Sequence, residues 1–197
     1  MRQLIFATSN KGKLAEASDI LGSEYKLITP ADLGITEDIP ETGDTLAANS
    51  LQKAMYVYER TGQDCFADDT GLEVDCLDGA PGVHSARYAT DGHDFDANIV
   101  KLLSEIGKRG PCASRTARFR CVVTLIVSGE VHQFDGRMDG SIAMAKSGAR
   151  GFGYDPVFVP EVYGGKTLAE VSEEDKNNIS HRGESLRAMA AWLSENQ

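Results

Sequence analysis

Residues 3–13 read QLIFATSNKGK, and this stretch decides the fold class. An apolar run that ends in a polar turn is typical of a buried β-strand and the loop after it. The apolar spacing of Leu14, Ala17 and Leu21 then predicts a helix. A second short strand is expected at residues 25–28, and strand, helix and strand in this order predict an α/β fold.

The remaining elements extend this pattern. We expect a second helix at residues 45–60 and a last helix near the end of the chain. A strand that begins at Cys65 is expected to end at the polar residues 68–71, and residues 118–134 are expected to form a β-hairpin. Because the sequence shows no internal repeat, linker or low-complexity segment, residues 1–197 are predicted to form a single domain.

Charge and composition restrict the partners. Twenty Lys and Arg residues against thirty Asp and Glu residues give a net charge of −10, whereas long nucleic acid is bound through a basic surface. No stretch approaches the roughly 20 apolar residues of a membrane span, and the first residues do not resemble a signal peptide. The four cysteines form no C-x-x-C pair, so we expect them to be buried and reduced. These features predict a cytoplasmic protein with neither long nucleic acid nor a membrane as its partner.

The polar turn at residues 8–13 is a candidate phosphate site. It places two lysines, a glycine and three hydrogen-bonding side chains before a helix, and helix starts favour anions. It is not a Walker A loop, because Leu14 follows Gly12-Lys13 where that motif needs Ser or Thr. A solvated turn explains these residue types equally well, so both interpretations stay open at this point.

Acidic residues form a second candidate site. Asp68 and Asp69 follow an apolar strand, and Mg²⁺ prefers one or two carboxylates completed by phosphate oxygens. Since adjacent strand residues point to opposite faces, we expect only one of the two to face a ligand. Glu41 precedes the second helix, whose polar side carries Lys53, and would add a second carboxylate. Backbone-capping roles for all three acids remain the alternative.

Two further groups suggest a binding site for a base. Phe152 lies between Gly151 and Gly153, where an exposed ring could stack on a base, although a buried ring at a bulge fits the same pattern. Lys176 and the pair His181-Arg182 lie near the start of the last helix, a position that does not favour cations electrostatically. This placement favours a ligand-binding role over a structural one.

Together these segments resemble the inosine triphosphate pyrophosphatase family, also called dITP/XTP pyrophosphatases, almost from end to end. The matching segments are residues 8–13, 41–43 with Asn49 and Lys53, 67–72, 79–82 with 85–88, 151–158 and 180–183. The resemblance implies an α/β fold with an elongated mixed sheet flanked by helices and two lobes around a central nucleotide-binding cleft. It implies hydrolysis of ITP, dITP and XTP to the monophosphate and pyrophosphate, with Mg²⁺, by a homodimer that cleanses the nucleotide pool.

The same resemblance assigns roles residue by residue. It implies that Glu41 and Asp69 hold Mg²⁺ and that Asp69 accepts a proton. Because a carboxylate bound to Mg²⁺ is a weak base, Asp69 could instead orient the water, and Asp68 is the reserve candidate for the base. The implied substrate contacts are Thr8, Ser9, Asn10, Lys11, Gly12, Lys13, Lys53, Thr70, Phe152, Gly153, Tyr154, Asp155, Lys176, His181 and Arg182.

The sequence also departs from the family pattern and leaves rival functions open. Ala48 replaces a common Glu, Thr70 a common Ser and His84 a common Tyr. A donor from Lys176 or Arg182 would meet the 6-oxo group of hypoxanthine or xanthine and would be left unpaired by adenine. A pyrimidine-directed pyrophosphatase and a non-catalytic nucleotide sensor are the alternatives.

Overall fold

A computed structural model describes residues 2–196. In chain order, its elements are β1 (Arg2–Phe6), α1 (Lys11–Leu21), β2 (Tyr25–Ile28), α2 (Leu46–Thr61), β3 (Cys65–Val74), β4 (Pro81–Gly82), α3 (Phe95–Lys108), β5 (Thr116–Val127), β6 (Glu130–Ile142), β7 (Phe158–Pro160), α4 (Glu173–Ile179) and α5 (His181–Glu195). Short 3₁₀ turns lie at Gly22–Glu24, Pro30–Leu33, Asp75–Leu77, Ser85–Arg87, Glu161–Tyr163 and Leu168–Glu170. Within this range, no helix is long and apolar enough to cross a membrane.

The strands form a mixed sheet in the order β2-β1-β3-β5-β6-β7, with β4 paired to β3. β1 is parallel to both β2 and β3, as expected when a helix connects strands of one sheet. β4 is antiparallel to β3, and β7 is antiparallel to β6. The strand–helix–strand opening and the α/β class are therefore confirmed. The cleft between two lobes stays a prediction.

The chain divides into two compact units. Unit 1 consists of the chain up to Asp69, Cys121–Gly136 and the chain from His181 onward, and unit 2 consists of Thr70–Arg120 and Arg137–Ser180. The prediction of a single domain is not tested by this division.

Unit 1 buries both faces of its strands. Leu4 and Phe6 pack into one apolar cluster, whereas the intervening Ile5 packs into another. This alternation follows from the two-residue period of a strand, and covering both faces explains why the buried part of β1, residues 4–6, is continuously apolar. The rings of Phe6 and Phe66 stack with centroids 4.4 Å apart, which joins β1 to β3.

Unit 2 has a core of its own. One side of α3 supplies Ile99, Leu102 and Ile106, all buried, at the spacing of a helix face. The ring of Phe119 in β5 packs against that of Phe158 in β7, with centroids 4.6 Å apart.

Three expectations about these elements are wrong. β3 runs on to Val74, so residues 68–71 lie inside the strand and not in a turn after it. Lys176 lies in the separate helix α4 and not near the start of α5. Cys112 is exposed and Cys76 half-buried, although all four cysteines are free, as expected.

Candidate active site

The loop between β1 and α1 is built by its own side chains. Asn10 caps α1: its Oδ1 accepts hydrogen bonds from the backbone N–H of Gly12 at 2.9 Å and of Lys13 at 3.2 Å. The Thr8 hydroxyl accepts from the Asn10 N–H at 3.1 Å. Ser9 and Lys11 are exposed. The cap fixes the loop and leaves Lys13 one turn into the helix, with its side chain directed to β3.

Asp68 is the centre of a buried ion network in unit 1. Lys13 Nζ donates to Asp68 Oδ1 at 3.0 Å, and Arg182 Nε donates to Asp68 Oδ2 at 3.1 Å. Arg182 also pairs with Glu16 of α1, and the Cys121 thiol lies 3.9 Å from Asp68 Oδ2. Only 1% of Asp68 and 3% of Arg182 is exposed. The network therefore joins α1, β3, β5 and α5.

These contacts set the ionisation of the network. Burial alone would raise the pKa of Asp68, but the charges of Lys13 and Arg182 hold it far below its ordinary value. Burial would likewise lower the pKa of Arg182, and the charges of Asp68 and Glu16 raise it instead. At neutral pH, Asp68 is thus a carboxylate, held by ion pairs with Lys13 and Arg182.

Asp69, the next residue of β3, lies in a different environment. Lys53 Nζ of α2 lies 3.6 Å from Asp69 Oδ1 and also forms an ion pair with Glu41. Burial raises the pKa of Asp69 above its ordinary value despite the opposing charge of Lys53. For Lys53, burial lowers the pKa, and the charges of Asp69 and Glu41 more than compensate and raise it. The two adjacent carboxylates therefore have pKa shifts of opposite sign.

Glu41 is held in place by the start of α2. The backbone N–H of Gly43 donates to Asn49 Oδ1 at 2.7 Å, and that of Thr42 donates to Gln52 Oε1 at 2.9 Å. A Cβ at Gly43 would lie 2.7 Å from the Ala48 Cβ, so only glycine allows this close approach. The segment that carries Glu41 is thus fixed against the helix that carries Lys53.

In unit 2, Asp155 organises the glycine-rich loop. Its Oδ2 accepts from the Phe152 backbone N–H at 2.9 Å and from Lys176 Nζ at 2.8 Å. The Lys176 ammonium lies 4.8 Å from the centre of the Phe152 ring, within range of a cation–π interaction. A Cβ at Gly151, where φ is +73°, would lie 2.0 Å from Asp155 Oδ2. Asp155 therefore holds the aromatic ring of the loop and the buried ammonium group of α4 close together.

Some residues contact predicted site residues although sequence analysis did not assign them to the site, among them Ser85, Phe95 and Glu16. The Tyr154 hydroxyl donates to the Ser85 carbonyl oxygen at 2.9 Å inside unit 2, so this side chain anchors the loop. The ring of Phe95 lies 6.3 Å from that of Phe152. Glu16 could have been noticed, because it lies three residues after Lys13 on the same side of α1.

The other predicted residues also have definite positions. Thr70 is half-buried in β3, and Gly153 has a φ of +63°. His181 is buried at the first position of α5, next to Arg182. A Cβ at Gly136 of β6 would lie 1.9 Å from the His181 carbonyl oxygen, so glycine there lets β6 pass close to the start of α5.

Few side chains are placed to act as ligands of a metal ion. Among residues 2–196, no group of three His, Cys, Asp or Glu side chains is placed to hold a metal ion. Glu41 and Asp69, however, approach the same point, the Lys53 ammonium. Two carboxylates suit Mg²⁺, which commonly takes one or two protein carboxylates together with phosphate oxygens and water. The residues present therefore fit a metal ion that arrives with a phosphorylated ligand.

An α/β unit that combines a capped helix start, inward-facing lysines and paired acids is typical of enzymes that act on phosphorylated substrates. Comparison with known proteins agrees with this class and makes it specific. The model of the Ham1 family matches residues 4–192, and this chain belongs to the Ham1 family.

Individual relatives match over nearly their whole length. The dITP/XTP pyrophosphatase of Porphyromonas gingivalis is 49% identical over 195 residues, which cover 98% of this chain and 98% of that protein. The dITP/XTP pyrophosphatase of Flavobacterium psychrophilum is 46% identical over 95% of this chain and 96% of that protein. The solved structure of a HAM1 protein from Coxiella burnetii has a TM-score of 0.90 at 35% identity, covering 99% of this chain and 100% of that chain. The family resemblance and the mixed α/β fold are confirmed.

Proposed function

We propose that this protein hydrolyses the non-canonical purine nucleoside triphosphates ITP, dITP and XTP to the monophosphate and pyrophosphate. The observation that carries the proposal is the match to dITP/XTP pyrophosphatases along nearly the entire chain, at up to 49% identity. The geometry agrees, because unit 1 places two lysines beside two neighbouring carboxylates of β3: Lys13 pairs with Asp68, and Lys53 pairs with Asp69. The biological role would be to remove altered purines from the nucleotide pool.

We assign the phosphate-binding role to residues 8–13 and to Lys53. The Asn10 cap keeps the start of α1 ordered and uses the N–H groups of Gly12 and Lys13, so a phosphate here would be favoured by the helix dipole and by the lysine side chains. Lys13 and Lys53 supply positive charge from α1 and α2. Charge neutralisation of this kind is a main requirement for hydrolysis at phosphorus.

Asp69 is the proposed proton acceptor, in preference to Asp68. Asp69 lies beside Glu41 and Lys53, where the metal ion and the phosphates are proposed to bind, and burial raises its pKa in the metal-free chain. Asp68 is bound to Lys13 and Arg182, and its lowered pKa makes it a poor proton acceptor. Asp69 would orient the attacking water and take its proton while Asp68 keeps the two cations in position.

Glu41 and Asp69 are the proposed ligands of Mg²⁺. Bound there, Mg²⁺ would neutralise charge on the phosphate oxygens and favour the leaving of pyrophosphate. The hydrogen bond from Gly43 to Asn49 keeps Glu41 beside Lys53, and thus keeps the two carboxylates within reach of one ion.

We assign recognition of the base to unit 2, with Phe152 as the stacking ring and Lys176 as the donor to the 6-oxo group. Asp155 fixes both, through the Phe152 N–H and the Lys176 ammonium. Adenine would offer an amino group to that donor, which is an unfavourable contact for a buried cation. Thr70, Gly153, Tyr154, His181 and Arg182 remain predicted substrate contacts.

We further propose a homodimer that works in the cytoplasm. The family resemblance carries the homodimer proposal, and three exposed apolar side chains of unit 2, Val100 at 64%, Val162 at 69% and Met144 at 80%, are candidates for burial against a second copy. Four free cysteines suit a reducing compartment. Light scattering coupled to size-exclusion chromatography should give twice the mass of 21.2 kDa, and a monomer mass would contradict the dimer.

A nucleotide panel tests the proposed function. The protein with Mg²⁺ should release pyrophosphate from ITP, dITP and XTP, and little from dATP. Preferential turnover of dUTP or dTTP would instead identify a pyrimidine-directed enzyme. Binding of ITP without release of pyrophosphate would identify a sensor, and release of single phosphate would contradict a pyrophosphohydrolase.

A further inference from the structure

The Lys53 ammonium occupies the point that the proposed metal ligands share. It forms an ion pair with Glu41 and lies 3.6 Å from Asp69 Oδ1. Its side chain is only 7% exposed. Two carboxylates from separate segments of unit 1 are thus held together by a resident cation of this chain.

This arrangement is built into the local structure. Lys53 follows Asn49 by one turn of α2, and Asn49 accepts the Gly43 N–H at 2.7 Å. The same helix therefore supplies both the ammonium and the anchor of the segment that carries Glu41. Lys13 makes a useful contrast, because its ammonium pairs with Asp68 and its charge acts less strongly than that of Lys53 on Asp69.

An ammonium and a divalent cation compete for the same two carboxylates. Each is attracted by the negative charges, and the two cations repel each other at contact distance. A free divalent ion must therefore displace Lys53 before it can use both acids. The phosphate oxygens of a nucleotide are negatively charged, as the two carboxylates are. They would therefore give the displaced Lys53 ammonium a new ion-pair partner.

We propose that Lys53 is an internal counter-cation that keeps free divalent metal off Glu41 and Asp69 until a nucleotide draws the ammonium away. The inference rests on the proposed function and deepens it, since metal and nucleotide would bind with positive coupling. By linkage, bound nucleotide strengthens metal binding by the same factor as metal strengthens nucleotide binding. The enzyme would thus take its metal together with the triphosphate.

Manganese binding without nucleotide tests this proposal. Mn²⁺ is titrated into the full-length chain and into a Lys53→Met variant, and free Mn²⁺ is measured by electron paramagnetic resonance. Methionine keeps the length of the side chain and removes its charge. We expect Lys53→Met to bind Mn²⁺ about tenfold more tightly or better, because the competing positive charge is gone. The Lys13→Met variant is the comparison: Lys13 pairs with Asp68 and its charge acts less strongly than that of Lys53 on Asp69, so its gain in Mn²⁺ affinity should be clearly smaller than that of Lys53→Met.

A second variant identifies the site. The double variant Lys53→Met/Glu41→Gln should lose the gain in Mn²⁺ affinity, because one of the two carboxylates is removed. Urea unfolding of each variant establishes that it is folded, and Lys53→Gln replaces Lys53→Met if the latter is not.

Two results would overturn the proposal. One is a Lys53 variant that is folded and binds Mn²⁺ no more tightly than the wild type. The other is an equal gain in Lys13→Met, which would show a general charge effect. Neither touches the proposed function, which is decided separately by whether the wild type releases pyrophosphate from dITP.

Discussion

Replacing Asp68 and Asp69 separately by asparagine should give opposite results, although the two residues are neighbours in β3. Asp68 is 1% exposed and pairs with Lys13 and Arg182. Asparagine would leave Arg182, which is 3% exposed, with one carboxylate fewer in a buried network. Breaking a buried pair by removing one partner costs about 3–5 kcal/mol, so Asp68→Asn should lower the free energy of unfolding by about that amount.

Asp69→Asn should spare stability and remove activity. Burial raises the pKa of Asp69, which means that its charged form is disfavoured in the folded state. A neutral side chain of the same shape therefore should change the free energy of unfolding by less than about 1 kcal/mol. Loss of the proton acceptor should lower turnover by about 10²- to 10⁴-fold.

Two assays separate these effects. Urea unfolding at pH 7, followed by the fluorescence of the single tryptophan, gives the stability of each variant, and release of pyrophosphate from dITP gives turnover. Asp78→Asn is the control, because that side chain is 89% exposed and should change stability by less than about 0.5 kcal/mol. Near-normal turnover of Asp69→Asn, or wild-type stability of Asp68→Asn, would refute the assignment of roles.

Three further predictions concern other contacts. The pKa of Asp68 is lower in the folded state than in the unfolded state, so on acidification the unfolded state binds a proton at Asp68 first, and the free energy of unfolding should fall below about pH 4. Urea unfolding at a series of pH values should show a shallower fall for Asp68→Asn than for the wild type. Equal dependence of stability on pH in the two proteins would contradict this. Asn49→Ala removes the acceptor of the Gly43 N–H and should lower kcat/KM for dITP about tenfold to a hundredfold. Asn49→Asp keeps an acceptor oxygen and should retain more activity. Equal losses in the two variants would argue against a role of Asn49 in positioning Glu41. Phe152→Ala should weaken binding of IMP about tenfold and leave binding of inorganic tripolyphosphate unchanged in calorimetry, and a loss for both ligands would place the ring elsewhere.

The fold class could be predicted because strands and helices are specified by residues close together in the sequence, where local patterns can be recognised. The apolar run at residues 4–7 and the helix spacing after it predicted the strand–helix–strand opening that the structure contains. The pattern Thr167-Leu168-Ala169-Glu170 is likewise a local helix-start signature, and the structure has a capped 3₁₀ turn at Leu168–Glu170. The two-residue period predicted that only one of Asp68 and Asp69 faces a ligand, which stays a prediction; the two side chains have different ion partners and pKa shifts of opposite sign.

Partners distant in sequence could not be predicted. Asp68 and Arg182 are 114 residues apart and meet only because β3 and α5 pack in one unit. Four consecutive polar or small residues suggested that β3 ends after Ala67, but pairing with β4 at Leu72 and Glu73 continues the strand. Likewise, no local sequence pattern predicts that the Tyr154 hydroxyl donates a hydrogen bond to the Ser85 carbonyl oxygen.

Hydrolysis of dITP in ¹⁸O-labelled water tests the central claim most directly. With the protein and Mg²⁺, the products should be deoxyinosine monophosphate and pyrophosphate, and mass spectrometry should find one labelled oxygen on the monophosphate, because water attacks the α-phosphorus. Label in the pyrophosphate, or release of single phosphate, would contradict the proposed reaction.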